Sequence, residues 1–352
     1  MESHTKFPNC ESPASRITQE NNEDELVQDS TNLFDSRYVS VHPAGNGFSG
    51  DVTFCFLRKA LKAVVDSHYK VQLPDYAVDL LKAQLCVVKT LHNPATARTR
   101  RSLLKELDVL QRIKASRGKS KERLPYLVDA HISDQPWMVT AAVRGPTLES
   151  FLVSLTPGLR IPERLFWHLY IQLSDAFRFL HALKPQAIAH GDIHSCNILL
   201  EQANNSLPNV VLVDFGCASI GDLEDYQEDS SGSSTSKSDP QACKLANISP
   251  FSYDVLMLAM LLDSLIADVE WICPHARFLI PFPAYLEDLV LYKPAEKLRI
   301  ESLWAKFGIH ATIRRDYLAW DKLKRLQPAL DTCPVDDECI TRVVEEAGLY
   351  IA

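Results

Sequence analysis

His190-Gly-Asp-Ile-His-Ser-Cys-Asn197, followed by Val213-Asp-Phe-Gly216, is the stretch that decides the fold. Between the two motifs, Asn197-Ile-Leu-Leu200 and Val210-Val-Leu-Val213 are short apolar runs rich in branched residues, which is how strands read. Asn204-Asn-Ser-Leu-Pro-Asn209 separates them with turn formers. The pattern predicts a hairpin whose open ends bring Asn197 and Asp214 together, with Asp192 just upstream. Two carboxylates and a carboxamide gathered this way suit phosphoryl transfer. One carboxylate takes or orients the proton of an attacking hydroxyl, while the amide and the second carboxylate hold a divalent cation. Either aspartate alone reads as well as a turn or cap residue. The two motifs in this order carry the argument.

Upstream, Gly45-Asn-Gly-Phe-Ser-Gly50-Asp-Val52 is a glycine-rich turn. Backbone without Cβ atoms can close over phosphates and point N–H groups at them. A dinucleotide-binding turn would need a helix directly after Gly50. An alternating strand, Asp51-Val-Thr-Phe-Cys-Phe56, follows instead. Leu85-Cys-Val-Val-Lys89 reads as a further strand. Arg101 to Lys114 reads as a helix with Leu103, Leu107, Leu110 and Ile113 on one face. Trp137 to Val143 is another apolar strand. A later helix, opened by Pro162, carries Leu165, Leu169, Leu173, Phe177 and Leu180. The run from Ser252 to Asp268 is apolar almost all round, which predicts a buried helix. Residues 283–352 read as several more helices.

Together these motifs resemble the protein-kinase-like superfamily across residues 39–270. The resemblance implies an α+β, bilobal fold with a small β-rich N-lobe and a larger helical C-lobe. It implies ATP and Mg2+ as cofactors, Asp192 as catalytic base, and Asn197 and Asp214 as metal ligands. Gly45, Gly47 and Gly50 would cover the phosphates. Lys89 would contact them and pair with Glu106, with Asp108 the neighbour that a register error would choose instead. Val52, Val87 and Leu199 would wall the adenine pocket. Thr140 would be the gatekeeper, and Ala141 to Val143 the hinge. Asp254 would accept hydrogen bonds from the catalytic loop. The domain reading is a disordered segment over 1–37, an N-lobe over 38–144 with an insertion near 57–82, and a C-lobe over 145–352 with a mobile acidic, Ser-rich segment near 220–241.

Three departures matter. Protein kinases usually have Arg where Gly191 stands and Lys where His194 stands. The form H-G-D-x-H-x-x-N resembles small-molecule kinases, whereas Asp-Phe-Gly resembles protein kinases. No clear Ala-Pro-Glu motif follows Gly216. Without an arginine at 191, a phosphate on the acidic segment has no guanidinium to receive it. A histidine at 194 supplies only part of a positive charge near neutrality. The leading expectation is a protein kinase acting on Ser/Thr hydroxyls. A small-molecule kinase and a non-catalytic binding scaffold remain as rivals.

Composition sets outer limits. The chain has 352 residues, 46% hydrophobic and 23% charged, with net charge −8. That balance gives no sign of a nucleic-acid or anionic-membrane surface. The basic run Arg98 to Arg101 reads as a solvated helix start. Nine cysteines without a C-x-x-C pair and a polar opening segment point to reduced thiols in a cytoplasmic or nuclear protein, with no zinc site. Val255 to Leu262, the longest strongly apolar run, is too short to span a bilayer. The expected partners are ATP and a protein or small-molecule hydroxyl acceptor. Oligomeric state is not encoded in any of these patterns.

Overall fold

The computed structural model describes residues 33–46, 50–68, 75–91, 96–155, 158–202, 207–221, 248–271, 285, 298–317 and 323–351. A five-stranded sheet in the order β1-β2-β3-β5-β4 forms the first lobe. Its strands are β1 (Tyr38–Asn46), β2 (Asp51–Leu57), β3 (Cys86–Thr90), β4 (Leu127–His131) and β5 (Trp137–Ala141). Every neighbouring pair is antiparallel. Residues 33–37, expected to precede the ordered lobe, are helical, and Phe34 stacks on Tyr38 at 5.3 Å. Ordered structure therefore starts earlier than polarity alone suggests, because one aromatic side chain finds a buried partner.

The stretch expected as an insertion folds into two helices, α1 (Arg58–His68) and α2 (Asp75–Ala83). Helix α3 (Ala97–Ala115) then crosses behind the sheet. Thr96 caps it, accepting from the Thr99 N–H while the Thr99 hydroxyl receives the Thr96 N–H, a reciprocal box. Leu103, Leu107, Leu110 and Ile113 are all buried on its inner face. Arg98 and Arg101 are exposed at its start.

The second lobe is built on α4 (Leu148–Ser154) and α5 (Glu163–His181). The apolar ladder of α5 packs fully inside, around Trp167, Tyr170 and Phe177. Short strands follow: β6 (Ala187–Ala189), β7 (Ile198–Glu201), β8 (Asn209–Leu212) and β9 (Ser219–Gly221). β7 and β8 form the expected hairpin, with Ile198 opposite Leu212. Helix α6 (Pro250–Ile266) is mostly buried, but Met260 is 48% exposed, so burial all round holds better for α5. Helices α7 (Ile300–Tyr317), α8 (Gln327–Leu330) and α9 (Asp337–Ile351) complete the order.

Residues 145–352 do not all belong to the helical lobe. Val335, Ile340 and Val343 are buried with Phe54, Phe56, Leu61, Val78, Leu81 and Leu85 of the first lobe. The C-lobe expected over 145–352 thus ends in a helix, α9, whose apolar face packs into the first lobe, in one cluster with β2, α1 and α2. The Ser-rich segment, placed near 220–241, falls beyond the described residues after Gly221. None of the described helices is long and apolar enough to cross a membrane.

Candidate active site

The site lies where β3, α3 and the β7–β8 hairpin converge. Val52 faces Lys89 across the β2–β3 ladder, and Val87 faces both Phe54 and Thr140. Alternation along strands puts Val52, Val87, Lys89 and Thr140 on one face of the sheet. Val52, Val87, Thr140, Val143 and Leu199 are all half-buried, while Lys89 is buried. Leu199 pairs with Thr147 across an isolated bridge.

Lys89 Nζ donates to Glu106 Oε2 at 2.7 Å and to Asp214 Oδ1 at 2.8 Å. The pair with Glu106 is almost sealed, with side chains 8% and 5% exposed. Asp108, the alternative register, points elsewhere and pairs with Arg112 at 3.1 Å. Burial pushes Glu106 up to about 7, against the pull of Lys89. Burial alone would also lower Lys89, but its two carboxylate neighbours outweigh that and hold it above the usual lysine range. Burial would raise Asp214, yet the Lys89 ammonium dominates and holds it below the ordinary carboxylate value. The result is a cation clamped between two acids in a low-dielectric setting.

The catalytic-loop motif is fixed from beneath. Asp254 is fully buried and accepts from His190 N at 2.7 Å, Gly191 N at 2.8 Å and His181 Nε2 at 3.0 Å. His190 donates through Nε2 to Val213 O at 3.0 Å, and its Nδ1 accepts from Asp192 N at 3.2 Å. Those two bonds need the neutral ring, and burial pushes His190 downward accordingly. Gly191 has φ +78°, and a Cβ there would lie 2.7 Å from Cys217 O. The absent arginine is explained locally: the position is left-handed and pressed against backbone, which suits glycine alone.

Asn197 Nδ2 donates to Asp192 O at 2.9 Å and to Asp192 Oδ2 at 3.3 Å, and Val213 N donates to Asn197 O at 2.9 Å. The hairpin therefore sets Asn197 beside the residue preceding Asp214. Asp214 itself has φ +65°, strained for a non-glycine, and Gly216 N donates to its Oδ1 at 3.2 Å. Asp192 is 45% exposed, open to an incoming group. His194 Nδ1 accepts from Cys196 N at 3.3 Å, and its Nε2 lies 3.6 Å from Asp192 Oδ2.

At the phosphate-loop end, Gly45 pairs with Val52, and Gly47 lies outside the described residues. A Cβ on Gly50 would fall 1.8 Å from Thr90 O, so this glycine lets β2 close on the end of β3. Sequence reading missed Ser102, whose Oγ donates to Gly216 O at 3.1 Å and so ties α3 to the Asp-Phe-Gly turn. A serine on a mixed helix face gives no signal of that role.

Among the described residues, no three His, Cys, Asp or Glu gather to hold a metal by themselves. Asn197 and Asp214 offer one amide and one carboxylate. That sparse oxygen set fits a magnesium ion that takes its remaining ligands from phosphates and water.

A two-lobed fold with a buried Lys–Glu pair beside an Asp-Phe-Gly turn defines a kinase-type phosphotransferase. The protein tyrosine and serine/threonine kinase family model matches residues 65–240, half of the chain, and the chain belongs to that family. Nucleosomal histone kinase 1 of Drosophila melanogaster is 33% identical over 72 residues, which cover 20% of this chain and 12% of that protein's length.

Proposed function

We propose that this kinase transfers the γ-phosphoryl group of ATP, with magnesium, to Ser/Thr hydroxyls of a protein. The observation that carries the reading is Lys89 bonded at once to Glu106 and Asp214, with Asp192 and Asn197 hydrogen-bonded beside them. Lys89 binds phosphate oxygens and Glu106 holds it in place. Asp192 takes the proton of the attacking hydroxyl as the phosphoryl group leaves ADP. Asn197 and Asp214 would hold the magnesium, which supplies charge neutralisation on the phosphates. Val52, Val87, Leu199, Thr140 and Val143 line the base pocket, with Gly45 and Gly50 over the phosphates. A protein acceptor is supported by the likeness to a protein named as a nucleosomal histone kinase, and so is a nuclear setting.

One observation favours a second reading, a small-molecule acceptor. Gly191 is built into the loop by its left-handed backbone, and it belongs to the H-G-D-x-H-x-x-N form. Transfer of labelled phosphate from ATP to a peptide library and to a metabolite panel, with and without magnesium, separates the readings. Magnesium-dependent labelling of Ser/Thr peptides is expected. Labelling of metabolites alone would replace the acceptor class, and nucleotide binding without any transfer would leave a scaffold.

A further inference from the structure

We propose that the C-terminal segment, residues 333–344, forms the outer wall of the nucleotide-base end of the cleft, so that base binding depends on residues from the far end of the chain. The inference rests on the nucleotide reading above. It comes from the faces of β2. Val52, Phe54 and Phe56 alternate onto one face of that strand, and Phe54 stands directly opposite Val87. The same face that meets the base at Val52 therefore continues outward to Phe54 and Phe56. There Phe54 and Phe56 share one buried cluster with Val335, Ile340 and Val343. Val87 and the hinge residue Ala142, both half-buried, pack on this cluster, as do Cys333, Cys339 and Val344.

The segment reaches this place by crossing the hinge. Leu326 and Leu330 sit in the core of the helical lobe. Asp331 accepts from Gln202, the residue whose N–H donates to Arg144 O in the interlobe linker. Beyond it, Asp337 pairs with Lys82 of α2. One short run of chain thus touches the helical lobe, Gln202 beside the linker, and the first lobe in succession. It does not fill the pocket, since Val52, Thr140, Val143 and Leu199 remain only half-buried. A base entering between them would meet Val87 and Ala142 with the C-terminal cluster directly behind.

Two measurements test this. In the unaltered protein, alkylation by iodoacetamide is followed at each cysteine by mass spectrometry. Adenosine should slow modification of the partly buried Cys333 and Cys339 several-fold, while inorganic tripolyphosphate, which lacks a base, should not. Separately, Val343→Asp should weaken adenosine affinity by tenfold or more, with circular dichroism confirming that the fold is kept. Adenosine that binds the wild type with unchanged labelling, and a folded Val343→Asp chain that binds it equally well, would overturn the wall and leave the kinase reading intact. A wild type that binds neither adenosine nor ATP would sink both.

Discussion

Lys89 sits between two carboxylates, and this makes Glu106 the residue most sensitive to pH. Burial pushes it up to about 7 from an ordinary 4.5. Between those values the folded chain holds a proton that the unfolded chain has released. Its contribution to stability is therefore fully present below 4.5 and is lost as pH rises through about 7. Catalysis runs the other way, because only ionised Glu106 holds the lysine. Turnover is predicted to fall as pH drops through about 7. Glu106→Gln should flatten that limb and lower kcat/KM on the order of a hundredfold through misplaced Lys89. Superimposable pH–rate profiles for the two proteins would contradict the assignment. Glu106 was legible as the lysine's partner from the kinase resemblance, and the structure puts it on the buried face of its helix. The constraint at Gly191 was not, because a left-handed φ and a contact with Cys217 O belong to tertiary structure, although the glycine itself was the clue.

At the scale of elements, the catalytic loop depends on α6 through one side chain. Asp254→Ala removes the acceptor of two backbone N–H groups, at buried His190 and half-buried Gly191, and of buried His181. The cost is predicted to be about 3 kcal/mol or more, with loss of turnover. Chemical denaturation of wild type and variant measures it, and a change below about 1 kcal/mol would show that water replaces the carboxylate. Asp254 could be placed in advance only through the resemblance of its helix start to that of the kinase family. The β7–β8 hairpin was legible from paired branched runs. Strand β4 was not: Asp129 and His131 interrupt its apolar pattern, and it lies at the sheet edge, where pairing rather than hydrophobicity defines it.

For the whole molecule, apolar packing divides unevenly. Leu103, Leu107 and Met138 of the first lobe share a core with Phe166 and Trp167 of the second. β2, α1, α2 and α9 share a separate cluster. Ile340→Ala should destabilise that second cluster by about 2–5 kcal/mol. Hydrogen exchange should then speed up together in β2, α2 and α9 while α5 keeps its protection. Uniform acceleration through α5 would mean that the two clusters open as one. The sequence marked residues 283–352 only as further helices, and no pattern in one sequence says which lobe the buried face of α9 will meet.

The central claim is that Asp192 serves the acceptor and Asp214 the metal-bound nucleotide. The direct measurement is a paired one: magnesium-dependent ATP affinity by calorimetry and phosphate transfer by radiolabel, in wild type, Asp192→Asn and Asp214→Asn. Asp192→Asn is predicted to bind Mg-ATP almost as the wild type does while losing most transfer. Asp214→Asn is predicted to lose both the magnesium enhancement of affinity and the transfer. Transfer undiminished in Asp192→Asn, or magnesium-enhanced affinity unchanged in Asp214→Asn, would contradict the account.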